Sequence, residues 1–208
     1  MTSAQRLMAE LSVIVVGVLI ALGAEAGWSA RSDRAREREI LHDLSEEFAQ
    51  NARILQSDIE ANQLALEAGL LWEAAMLGER ETSRDSLVQL FVASRIGARF
   101  DPVTGVLQSV LMSGDLPIIR NTELRQALAG WPDRAEEARS TSEDVNTQRS
   151  NWASFLATLE PGGDLSAAEV ALIRLDASRS DSGGFQLHGL AAFVDSIRGL
   201  IDAELARQ

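Results

Sequence analysis

Hydrophobic and polar positions alternate at a helical period along almost the whole chain. Leu41, Leu44, Phe48, Leu55, Ile59 and Leu66 recur close to a 3.5–3.6-residue period, and Asn51 and Asn62 fall on the same seam. No proline occurs before Pro102, so one helix is predicted from Ser29 to about Leu77. Arg34–Glu37 and Arg36–Glu39 are expected as i,i+3 ion pairs on its wet surface. Ser83 is a candidate N-cap for a second helix ending near Ala98. Asp101-Pro102 predicts the start of a third, with Asp at N-cap and Pro at N1, and Gly114 its end. Asn121 caps a short fourth helix through Gly130. Trp131-Pro132-Asp133 is read as a restart into a long polar helix reaching about Glu160. Pro161-Gly162-Gly163 is a turn, and Ser166 to Glu169 is a capping box. Ser178–Gly184 reads as a loop before a last helix, Phe185–Ala206. No alternating run signals a strand. The expectation is an all-α antiparallel bundle.

The N-terminal segment departs from this pattern. From Leu11 to Ala24 every residue is apolar or small, on all sides of a helix. That run is short for a span, which needs about 20 residues. A cleaved signal would use Arg6 and the Ala24-Glu25-Ala26 site, but Glu10 stands at the head of the apolar run. A buried core helix would have to be covered on all sides by a chain of modest hydrophobicity. A retained anchor extends from Leu7 to Trp28, about 33 Å long, with the indole at the membrane interface. We therefore expect residues 1–28 to be a transmembrane anchor whose helix continues into a bundle domain over residues 29–208. On the anchor, Gly17, Ala21, Ala24 and Trp28 lie within about 40° of Glu10, a face for close helix packing. Arg31, Arg34, Arg36 and Arg38 outnumber Arg6, which by the positive-inside rule puts the bundle in the cytoplasm.

Two stretches carry a resemblance. One runs from Glu10 through Ile14-Val15-Val16-Gly17-Val18-Leu19-Ile20-Ala21-Leu22 and Trp28 to Arg34, Glu37, Glu39, Leu41, Leu44, Glu47 and Asn51. The other is Leu111-Met112-Ser113-Gly114-Asp115-Leu116-Pro117-Ile118-Ile119-Arg120-Asn121, followed by Leu124, Arg125, Leu128 and Trp131. Together they resemble a family of bacterial single-pass membrane proteins of uncharacterised function, with an N-terminal membrane helix ending in Trp. The resemblance implies a helical domain outside the cytoplasm, opposite to the arginine count. It implies no catalytic residues.

Composition narrows the function. The net charge is −12 and every basic residue is arginine, so clustered positive charge for nucleic acid is missing. There is no cysteine, which removes thiolate metal sites and disulfides. Glu39-x-x-His42 has the spacing of a di-iron motif, but that site needs a second copy, and the only other histidine, His188, lacks one. Adjacent acids Glu46-Glu47 and Glu136-Glu137 diverge on a helix and are expected at the surface. Trp72, Trp131 and Trp152 are expected in the core or facing a ligand between helices. No catalytic, cofactor or metal residue is nominated. The expected function is a non-enzymatic, membrane-anchored accessory or scaffold that binds a protein partner or itself. The alternative is an extracytoplasmic sensor domain that binds a small ligand and signals through a partner.

Overall fold

A computed structural model describes residues 3–97, 99–160 and 165–207, with side chains for all of these except 3–14, 26, 149 and 176–183. Among the described residues there are only helices and connections. The helices are α1 (Ser3–Met76), α2 (Arg84–Ser94), α3 (Gly105–Ser113), α4 (Thr122–Leu156) and α5 (Ala167–Leu205), with a 3₁₀ turn at Leu116–Ile118 between α3 and α4.

α1 is one helix of 74 residues, about 110 Å long. It ends at Gly78, whose positive φ of 72° lets the Gly78 and Glu79 amides turn back onto the Ala75 and Ala74 carbonyls. α1 is the spine: α5 and α2 pack along it, and α4 packs on α5. The main core joins Leu41, Leu44 and Phe48 of α1 to Leu124, Leu128 and Trp131 of α4 and to Val194, Ile197 and Ile201 of α5. Trp131 is fully buried and stands edge-on to Phe48 at 5.2 Å and to Phe100 at 6.5 Å. A smaller core at the far end joins Trp72 and Met76 to Leu156 and Ile173, and Trp72 tilts against Phe91 of α2 at 5.3 Å.

The caps at Ser83, Asn121 and Ser166 form as the sequence predicts. Each side chain accepts a backbone N–H three residues on, and Ser166 and Glu169 complete a capping box. Three boundaries are corrected. α3 begins at Gly105 rather than at Pro102, because the Val103 N–H and carbonyl are taken by Asn51 of α1. α4 does not stop at Gly130 and restart. It runs straight through Pro132, since Leu124, Leu128, Trp131, Ala135 and Ala138 form one buried stripe whose packing outweighs the missing proline N–H. Ser178–Gly184 is not a loop but lies inside α5. At Gly184 a Cβ would come within 2.8 Å of Asn62 Nδ2, so the glycine marks where α5 crosses close to α1 rather than a break. Residues 161–164, read as a turn, lie outside the described residues.

Because α4 is already held by its stripe, Pro132→Ala is expected to restore one helical hydrogen bond without disturbing the core. We expect stabilisation of about 2 kcal/mol, the helix gain less the extra freedom of the unfolded chain. Denaturant titration with an unchanged m-value checks it.

Candidate functional site

Residues 99–104 before α3 and 119–121 after it lie outside helices, and the first amides of α3 lack helical partners, so the buried backbone groups here need other partners. α1 supplies them from one face. Asn51 pairs with the Val103 peptide like a short strand: its Nδ2 donates to the carbonyl at 2.7 Å, and its Oδ1 accepts the N–H at 2.8 Å. The Glu47 carboxylate accepts the N–H groups of Val106 at 2.6 Å and Leu107 at 3.1 Å. These are the second and third amides of α3, whose own N-cap, Thr104, makes no side-chain bond. Glu47 thus caps α3 from another helix. Glu37 accepts the Arg120 backbone N–H and Nε, each at 2.7 Å. The Arg120 guanidinium also lies 3.9 Å from Glu204 near the end of α5. Glu37, Glu47 and Asn51 are 1%, 4% and 0% exposed.

Two expectations change here. Glu37 is committed to Arg120 rather than to Arg34. Glu47 is buried rather than solvated, while its neighbour Glu46 is exposed. The Arg36–Glu39 pair does form, at 3.4 Å, and Arg36 also reaches Asp115 at 3.2 Å. The signal for Glu37 and Glu47 was in the sequence. With Ile40, Leu44 and Asn51 they continue the three-and-four spacing of the apolar seam.

A second feature is an open cleft of about 680 Å3 between the 99–101 segment and the polar middle of α4. Arg99, Asp101, Arg139, Asn146 and Asn151 line it, with buried Phe100 among them. Arg139 is already paired with Glu136 and Glu143, so much of its charge is neutralised. Among the described residues there is no group of three or more side chains able to hold a metal ion. His42 and His188 are both exposed, on α1 and α5.

The third feature is the expected anchor face. Gly17, Ala21, Ala24 and Trp28 are all exposed on α1, and a Cβ at Gly17 would meet nothing within 4 Å. The Glu10 side chain lies outside the described residues. Val15, Val16, Val18, Leu19, Ile20 and Leu22 are 49–68% exposed, so the bundle does not cover this apolar stretch. Among the described residues no helix is long and apolar enough to cross a membrane.

Comparison with protein-family models, with curated proteins and with solved structures finds no match for this chain.

Burial raises the Glu47, Asp58 and Glu73 carboxyls above their ordinary values. Bonds from the Val106 and Leu107 amides, the Arg99 amide and the charge of Arg174 pull back only partly. A raised pKa means the folded state binds more protons, so these groups make stability increase as pH falls. We expect thermal stability to rise from neutral pH toward the ordinary glutamate value of 4.5 and to fall below it, where exposed, hydrogen-bonded Glu136 and Glu169, held low, become protonated. Calorimetry across that range checks the sign, and Glu47→Gln should flatten the rise.

The Val103 clamp makes a sharper prediction. Asn51→Asp replaces the donor facing the Val103 carbonyl with a carboxylate oxygen. It should cost about 2 kcal/mol at neutral pH and less where the new carboxyl is protonated. Equal losses at both pH values in chemical denaturation would refute the pairing.

Proposed function

We propose that this chain is a non-enzymatic, membrane-anchored helical accessory protein that holds its bundle domain for a protein partner or a second copy. The observation that carries this is the uncovered run of aliphatic side chains from Val15 to Leu22, on a helix continuous with the spine of the domain. A core helix would be covered by the rest of the chain, and here it is not. Water is a poor neighbour for contiguous apolar surface, which favours lipid or a partner helix as its environment. The proposed span, Leu7 to Trp28, begins among side chains outside the described residues.

Following the resemblance, we place the protein in the bacterial inner membrane by a single pass, with the bundle on the periplasmic side. The arginines at 31, 34, 36 and 38 argue for the cytoplasmic side. The chain should stay in the membrane pellet through an alkaline carbonate wash. A reporter fused after Gln208 should be active only on the periplasmic side. Extraction by the wash would remove the anchor, and reporter activity in the cytoplasm would reverse the topology.

The cleft beside α4 favours the second reading, a sensor domain whose small polar ligand binds between Arg99 and the amide side chains of Asn146 and Asn151. A thermal-shift screen of sugars, amino acids and small carboxylates tests it. Stabilisation that disappears in Asn151→Leu supports a sensor, and no shift at millimolar ligand removes it.

A further inference from the structure

From Val15 to Leu64, α1 keeps one side uncovered. Glu39, Glu46, Glu60, Leu64 and Leu71 on that side are exposed, while Leu44, Asn51, Leu55 and Asn62 on the other are buried. At 100° per residue the exposed positions keep one direction from Trp28 to Leu64, so they can be compared along the helix; beyond Leu64 the buried positions shift round, and Ala68 and Ala75 are buried. About ten turns separate Trp28 from Leu64, and the two point the same way. Gly17, Ala21 and Ala24 lie within about 40° of that direction. The small-residue face of the anchor is therefore continuous with the side of the spine that nothing in the bundle covers. Beyond Trp28 this side carries Arg31 and is then acidic at Glu39, which pairs with Arg36, and at Glu46, Glu60 and Glu67, with Arg53 between; it turns apolar at Leu64 and Leu71, which are 68% and 38% exposed.

Charge decides the occupant. A second copy running parallel would set each glutamate against its own image. The membrane cannot reach Leu64, about 55 Å along the helix from Trp28. We propose that the uncovered side of α1 docks the helix of a different single-pass membrane protein. That helix packs on Gly17, Ala21 and Ala24 and continues outward with arginines or lysines facing Glu39, Glu46 and Glu60. Its apolar end covers Leu64 and Leu71. The proposal rests on the anchor reading and adds the face and the charge of the partner.

The chain has no cysteine, so an engineered one is unique. Single variants Ala35→Cys, Gln50→Cys and Ser57→Cys sit at exposed positions on this side, and Ala192→Cys is an exposed control on α5. Each full-length variant, in native membranes retained through carbonate washing, is labelled with benzophenone maleimide and irradiated. The adducts are identified by mass spectrometry. The expected result is one partner, crosslinked from the three α1 positions and not from the control, through a segment rich in Arg or Lys. The triple variant Glu39→Lys/Glu46→Lys/Glu60→Lys should lower adduct yield about tenfold or more, with an unchanged melting curve. A homodimeric adduct, an acidic or uncharged partner segment, equal yield from Ala192→Cys, or no adduct from retained protein overturns the proposal. Loss of the protein in the wash overturns the anchor and this proposal together.

Discussion

The bundle depends on polar side chains of α1 that serve as the backbone partners of another segment. A connection buried between helices has no strand or helix to satisfy its amides. Here Glu37, Glu47 and Asn51 do so at intervals along one helix face, and Asp58 does the same for the Arg99 amide. This holds Phe100 and Ile119 in the core on either side of α3. It also orients α3 by capping it from outside. The carboxylates bear a desolvation cost, visible as raised affinity for protons at Glu47 and Asp58. Removing either partner would leave a buried amide or carboxylate unpaired, which is costlier still.

Much of the architecture is legible in the sequence because local chemistry and packing agree there. Ser83, Asn121 and Ser166 cap where they should, and Gly114, with φ of 78°, ends α3. The misses occur where tertiary contacts override local signals. Pro132 and the serine- and glycine-rich stretch at Ser178–Gly184 look like breaks, yet both lie within helices held by stripes of buried side chains on either side. Asp101-Pro102 has ideal helix-starting chemistry, but Val103 is taken by Asn51, and the helix begins only beyond it. No one-dimensional pattern announces a peptide paired with a side chain about fifty residues away.

The polar stripe was half legible. Asn51 stands out on the apolar seam, whereas Glu47, adjacent to Glu46, reads as a surface acid. Neighbouring residues on a helix point about 100° apart, so one of two adjacent acids can be buried while the other is wet. Spacing relative to Leu44 was the informative quantity, not local charge. The cleft beside α4 was not legible at all. Its lining comes from two segments whose juxtaposition depends on the placement of residues 99–101.

The order of the helices along the chain has a consequence for synthesis. The buried side of α1, with Leu44, Phe48 and Leu55, is closed mainly by α5, whose Leu190 to Ile201 follow it by well over a hundred residues. At about 5–20 residues per second, a ribosome needs roughly 7–30 seconds between the two. For that interval α1 stands complete while its apolar seam is closed only in part, by α2 and by Trp131 of α4 against Phe48. The spine is finished long before the helix that covers most of it, so α5 closes over a surface already in place.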